Sequence, residues 1–268
     1  MRMSLSAIAL ALVLAIFRRD AFKINLRDLH RFVLLGICGM AGSNFFYYYT
    51  IKVTTVATAI LLQYMAPIVV LGYAAITRDE ELNFAKIAAC IISLAGCFLA
   101  VGGIHFDIAS IDRLGLLSGL GAAVCWSFTN ISLRHLLRKY SVWTVLIYAF
   151  LAATLFWQFF NPPWKIVEAH YSANTWGVFF VFAMVSVAIP QALYFSGMRF
   201  LTPSRAIITA SFEPVVAILT AFLFVGESLT LVQSCGAALV IVAIGVLQTK
   251  KEPTSEQSAA AGAEIAAP

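Results

Sequence analysis

The run 205–227 reads RAIITASFEPVVAILTAFLFVGE, an apolar stretch long enough to cross a bilayer, yet it holds a glutamate followed by a proline. A carboxylate near the bilayer centre costs about 2.5–3.5 kcal/mol on insertion scales, so Glu213 is expected to face other helices or a wet cavity. Glu213 lies seven residues past Ala206, about 10 Å into a helix at ~1.5 Å per residue. Pro214 has no N–H for the carbonyl of Ala210, and its ring pushes that turn open. Pro67 does the same to the carbonyl of Gln63. An acid and a freed carbonyl at one depth could take up a proton or the polar end of a solute. The competing reading makes Glu213 a structural acid, hydrogen-bonded to a neighbouring helix.

Other polar groups at similar depth are candidates for the same cavity. They are Asn44 and Tyr47, Gln63 and Tyr64, then Trp126, Thr129 and Asn130 on one helix face. Gln191 and Tyr194 follow, beside the helix-breaking Pro190, and Thr209 shares a small-residue stripe with Glu213. Amide and aromatic groups together suit an amphipathic solute with an apolar body. Taken singly, each aromatic has an ordinary role as an interfacial anchor. Tyr48, Tyr49, Trp143, Trp164 and Trp176 are expected there.

Catalysis finds little to work with. Hydrolysis inside a membrane needs a nucleophile–base pair or a metal, and the sequence has no H-E-x-x-H and no histidine at depth. The five cysteines form no C-x-x-C pair and fall in apolar runs, as packing residues do. No cofactor, metal site or nucleic-acid partner is expected. A non-enzyme is the reading adopted.

These residues need elements to hold them. The 268-residue chain is 61% hydrophobic and only 12% charged. Soluble domains are nearer 45–50% apolar and about 25% charged, so this chain is built to meet lipid. Nine runs approach the roughly 17–25 residues of a spanning helix: 3–17, 32–50, 56–77, 85–102, 115–133, 142–160, 176–198, 206–225 and 231–248. The first run is followed by Arg18-Arg19 where a leader would carry its cleavage site, so it is read as a span. Alternate connecting segments hold 14 and 4 of the 18 Lys and Arg residues. By the positive-inside rule the richer side, with the C-terminus, is cytoplasmic. The fold class expected is an all-α multi-pass membrane protein of about nine helices in the cell membrane. The polar tail 250–268 has nothing to bury and is expected to be disordered.

Residues 44–82 shifted by 147 fall on 191–229 without a gap. Tyr47 meets Tyr194, Asn44 meets Gln191, Pro67 meets Pro214, and Glu80 meets Glu227. Matched prolines and glutamates, both 13 apart, are harder to obtain by chance than matched alanines. The charge count puts the two copies on opposite orientations. Inverted repeats are common in secondary transporters, with the binding site near the midplane.

The stretch LTPSRAIITASFEPVVAILTAFLFVGESLTLVQSCGAALVIVAIGVL (201–247) resembles the end of an EamA domain, the repeat unit of the drug/metabolite transporter superfamily. TVATAILLQYMAPIVVLGYAAITRDEELNFAKIAACIISLAGCFLAVGG (55–103) looks like the end of the first such domain. The features that carry the resemblance are the P-S-R-A entry, the mid-helix proline, the G-E-x-L turn and the Gly/Ala-rich last helix. At that turn the first half has Asp79-Glu80-Glu81-Leu82, without the glycine. The resemblance implies ten helices in a 5+5 inverted repeat, with 1–104 and 113–249 as the two domains. Arg2 resembles the residue that opens the family's second helix, which implies a 4+5 chain starting one helix late. The family exports amino acids, other metabolites or toxic compounds. An exporter of a small organic solute is therefore the expected function, with Glu213 as the proton-coupling candidate. Two alternatives stay open: a transport-inactive or channel-like subunit, and, further off, an intramembrane enzyme. The expected partners are the lipid bilayer and a small solute, with a homodimer left open.

Overall fold

Each of the nine apolar runs is helical, which is what lipid demands of a chain with nothing else to satisfy its backbone. The computed structural model describes residues 1–101, 112–162, 164, 168, 171–226, 228 and 230–248. His105, Lys165, His170, Glu227, Leu229 and the tail 250–268 lie outside the described residues. Among the described residues the long helices are α1 (Arg2–Phe17), α2 (29–53), α3 (Val56–Thr77), α4 (Phe84–Ala100), α5 (Arg113–Leu137), α6 (Val142–Phe160), α7 (Ala173–Gly197), α8 (Pro203–Phe224) and α9 (Leu231–Gln248). No strand occurs among the described residues. Six of the nine (α3, α5, α6, α7, α8 and α9) are long and apolar enough to cross a membrane, while α1 and α4 are shorter, at 16 and 17 residues. This is an all-α polytopic membrane protein.

Local chemistry sets the helix ends. Thr55, Asn83, Ser141 and Ser172 cap α3, α4, α6 and α7, each accepting a backbone N–H from three residues on. Such caps satisfy donors that the helix leaves orphaned. At the other ends of α3 and α8, the chain turns through left-handed residues, Arg78 (φ 57°) and Gly226 (φ 75°). Glycine takes that conformation freely. The first copy lacks the glycine, and an arginine is held there instead.

The repeat seen in the sequence reappears as matched irregularities. α3 breaks between Gln63 and Ala66, and α8 breaks between Ala210 and Glu213. Both pairs of positions are 147 apart. Widened π-helical turns end at Ala41 in α2 and at Ala188 in α7, again 147 apart. α4 and α9 begin at Phe84 and Leu231, which keep the same offset. The one slip has a cause. α8 carries a further π turn, Ala221–Val225, which takes in an extra residue. Its left-handed cap therefore falls at Gly226, one place beyond the counterpart of Arg78.

The chain divides into two compact units, each drawing on both halves of the sequence. The first comprises Met1–Gly42 and Ile131–Arg199. In it, Leu14 of α1, Ala21 and Ile147 of α6 form a core on which Leu10, Trp143 and Tyr148 pack. Gly36 lies so close to α6 that a β-carbon there would stand 2.5 Å from the carbonyl of Ala149. Ser6 on α1 donates to the carbonyl of Ala183 on α7 at 3.1 Å.

The second unit comprises Ser43–Asn130 and the described part of Phe200–Pro268. Its most extensive pairing is α4 against α9. They meet at glycines: a β-carbon on Gly96 would stand 2.9 Å from the carbonyl of Gly236, and one on Gly236 would overlap the backbone of Ala100. Small residues of this kind let helices approach closely in lipid, where no hydrophobic drive separates helix from solvent. Cys97, Val215 and Val240 form the core beside that contact, with Tyr64 packed against them. The first part of α5 closes on α3, where Gly119 faces Leu62 and Ser127 donates to the carbonyl of Ala66 at 3.0 Å.

Candidate functional site

The two helix breaks of the second unit bring the polar residues forward. Each break is short: Tyr64 and Met65 in α3, Ser211 and Phe212 in α8. A proline follows each, Pro67 and Pro214, and both are buried. Because Pro214 cannot donate, the chain tightens to short-range bonds there, Ser211 N to Ile208 O at 3.1 Å and Phe212 N to Thr209 O at 3.0 Å. The second half of α8 then starts at Glu213. An acidic side chain in the first turn of a helix is favoured by the orphan N–H groups and the helix dipole.

Tyr64 and Glu213 meet across the breaks. The Tyr64 hydroxyl donates to Glu213 Oε2 at 3.3 Å. The tyrosine ring is backed by Cys97, Val215 and Val240, and the Cys97 thiol donates to the Ser211 carbonyl at 3.7 Å. Glu213 itself is exposed. Its neighbours on the stripe, Thr209, Ala217 and Thr220, are exposed as well, while Ile208, Pro214 and Val215 are packed inside. The stripe is therefore packed at Ala206 and open at Thr209, Glu213, Ala217 and Thr220. Tyr47, half-buried on α2, lies within electrostatic reach of both Glu213 and Tyr64. Gln63 donates to Ser43 on α2 at 3.2 Å, and Ser43 in turn donates to the carbonyl of Ala122 at 3.4 Å.

Asn44 and Trp126 are half-buried. Thr129 and Asn130 are wholly buried and bond back to the carbonyls of Cys125 and Trp126, at 3.0 and 2.7 Å. Gln191 and Tyr194 lie on α7, in the first unit, just after the exposed Pro190. The Gln191 side-chain oxygen is buried without a hydrogen-bond partner. Among the described residues no three His, Cys, Asp or Glu side chains converge where a metal ion could sit.

A second polar cluster escaped the sequence reasoning. Glu80 and Lys86, with side chains 3% and 1% exposed, pair at 3.3 Å beneath the turn between α3 and α4. Glu80 Oε1 accepts the backbone N–H of Ser204 at 3.1 Å, and Oε2 accepts the Ser204 hydroxyl. Lys86 also donates to the carbonyl of Glu81 at 2.7 Å. The cap residue of α8, Thr202, makes no side-chain cap bond of its own. Glu80 supplies that cap from 124 residues away. The matched glutamates hinted at Glu80, but no local pattern ties it to the start of α8.

Comparison with known proteins sets this geometry in context. An uncharacterised transporter of Archaeoglobus fulgidus is 27% identical over 78% of this chain and 74% of its own length. The threonine/homoserine exporter RhtA of Escherichia coli K12 is 26% identical over 76% of this chain, which spans 66% of that exporter. An uncharacterised transporter of Bacillus subtilis, YyaM, is 22% identical over 94% of this chain and 86% of its own. A crystal structure of another protein shares the fold, with a TM-score of 0.73 over 92% of this chain and 84% of that one, at 18% identity. The model of the EamA-like transporter family matches residues 1–102 and 113–249. With both stretches matched, and the helix breaks recurring at the same place in each, the chain belongs to the EamA-like transporter family.

Proposed function

We propose that this protein is a secondary transporter that moves a small amphipathic metabolite, such as an amino acid, outward by alternating access. The observation that carries the proposal is the exposed Glu213 at the broken turn of α8, held by Tyr64 and flanked by Thr209, Ala217 and Thr220. A carboxyl group on a membrane helix is too costly to leave in lipid, so the open stripe faces a water-filled path. There Glu213 would receive the ammonium end of an amino acid or a coupling proton. Tyr64 and Tyr47 would pack against its apolar part. Breaks in two repeat-related helices supply the bendable points that rocking between two states needs. The exporter named among the relatives supports an amino acid as the first solute to try. Sidedness follows from the Lys/Arg asymmetry, with the C-terminus in the cytoplasm.

The test is uptake of radiolabelled threonine and homoserine into inverted membrane vesicles, across a range of pH, with and without a proton gradient. Glu213→Gln is expected to lower uptake and flatten its pH dependence while the protein still folds. Unchanged transport in that variant would remove Glu213 from the mechanism.

A further inference from the structure

The strongest feature outside the polar stripe is a cavity of about 500 Å³ at one end of the first unit. It lies where α1 ends and α6 begins, and four of its lining residues are cationic: Arg18, Arg19, Lys23 and Lys139. One carboxylate, Asp20, stands against them. Ser141 and Thr144, the cap and first turn of the 19-residue α6, line it too. That helix start adds backbone N–H groups and the positive end of a dipole to the four charges.

The cavity is braced from outside. Asp28, only 8% exposed, accepts hydrogen bonds from Lys139 and from the Tyr140 hydroxyl, the latter at 2.6 Å. Those bonds hold the Asp28 carboxyl below the usual carboxylate range and raise Lys139 above the usual lysine value. Tyr140 also packs edge-on against Phe32, with ring centres 5.1 Å apart. Lys23 pairs with Asp20 at 2.6 Å. Two of the four cations are thus engaged by carboxylates. The Arg19 Nε donates to the carbonyl of Ala15 at 3.1 Å, which aligns the guanidinium at the helix end. Just before the arginines, Ile16 and Phe17 are 71% and 78% exposed, on the last turn of a lipid-embedded helix. Charge, a helix start and an apolar rim thus occur together at the end of an apolar helix.

We infer that this cavity binds a phosphate-bearing anion, and that its natural source is the headgroup of an anionic phospholipid whose chains lie along Ile16 and Phe17. The arginines take the phosphate in forked hydrogen bonds, which suits guanidinium better than ammonium. Ser141 and Thr144 supply hydroxyls at the helix start. Basic pockets between membrane helices are known resting places for anionic headgroups. Such a lipid would tie the α1–α2 connection to the α5–α6 connection. The site shares no residue with the Glu213 stripe, so transport chemistry and headgroup binding can fail separately.

The test uses the full chain, stripped of lipid in a neutral detergent. Short-chain phosphatidylglycerol, short-chain phosphatidylcholine and inorganic phosphate are each titrated, with native mass spectrometry and the melting temperature as readouts. Phosphatidylglycerol is expected to bind and raise the melting temperature, and phosphatidylcholine is not. The double variant R18Q/R19Q is expected to weaken phosphatidylglycerol binding roughly 30-fold, at about 1 kcal/mol per basic residue. A single R19Q variant, milder for folding, should show part of that loss. Saturable binding of inorganic phosphate at comparable concentration, lost in R18Q/R19Q, would keep the anion site but overturn the lipid as its source. Equal binding of both lipids, or equal phosphatidylglycerol binding by variant and parent, would overturn the proposal.

Discussion

Two carboxylates in the second unit show how differently one residue type can be held. Glu80 is shut away, paired with Lys86 and bonded twice to Ser204. Glu213 is exposed and takes one long bond from Tyr64. A buried charge survives only where partners replace its water, and then it is fixed in place. A carboxyl with an open side and one weak donor keeps the capacity to bind something else. The first arrangement anchors the start of α8 and the second leaves its midpoint available. The proline break separates them, so an anchored half and an open half share one helix.

Breaking the anchored side should have the largest effect. Glu80→Ala leaves Lys86 buried without its counter-charge and uncaps α8, and should lower stability by about 3–5 kcal/mol in denaturation of the purified protein. The double variant E80M/K86M should recover much of that loss, because paired apolar replacements often cost little. If the single variant is as stable as the parent, Glu80 is not an anchor. A purely steric defect gives the reference for unit-wide damage. Gly236→Ala drives a β-carbon into the backbone of Ala100 and should cost about 1–3 kcal/mol without altering the pH dependence of transport.

On the open side the effects shift from stability to function. Tyr64→Phe removes the hydroxyl that donates to Glu213 and should change apparent solute affinity by about 0.5–1.5 kcal/mol, roughly two- to tenfold, with melting temperature nearly unmoved. Loss of folding in that variant would mean the Tyr64–Glu213 contact is structural after all. A third carboxylate gives the smallest effect. Asp28 is held below its unfolded value of about 3.9 by Lys139 and Tyr140. Its contribution is therefore fully present above about pH 4 and fades as pH falls through the depressed folded value. Melting temperatures from pH 7 down to pH 3 should fall more steeply in the parent than in Asp28→Asn; parallel curves would show that Asp28 adds nothing.

The same contrast explains what the sequence could tell. Helix positions follow from apolar length, and the repeat follows from prolines and glutamates at a constant offset. Both rest on patterns along the chain, so the breaks after Gln63 and after Ala210 fall where Pro67 and Pro214 predict. Glu213 was legible because a charge in a spanning run is anomalous by itself. Glu80 was not, because it sits in a polar turn where glutamate is unremarkable, and its partner Ser204 is 124 residues away. The stripe of α8 was readable as small and polar. Its division into an exposed side and packed residues such as Ile208 and Val215 depends on which helices lie beside it, and a wheel of one helix holds no such information. Thr129 and Asn130 share a face with Trp126 in sequence, yet they turn back onto their own helix for bonds. Short polar side chains have that option wherever they occur.

The claim that one acid is locked and the other open can be tested without knowing the solute. The protein in lipid nanodiscs is treated with a membrane-permeant carbodiimide, which adds to protonated carboxyl groups it can reach, and the modified peptides are quantified by mass spectrometry over time. Modification of Glu213, with Glu80 untouched until the protein is unfolded, is the result predicted. Modification of Glu80 as fast as Glu213, or a Glu213 that stays inert in the folded protein, would contradict it.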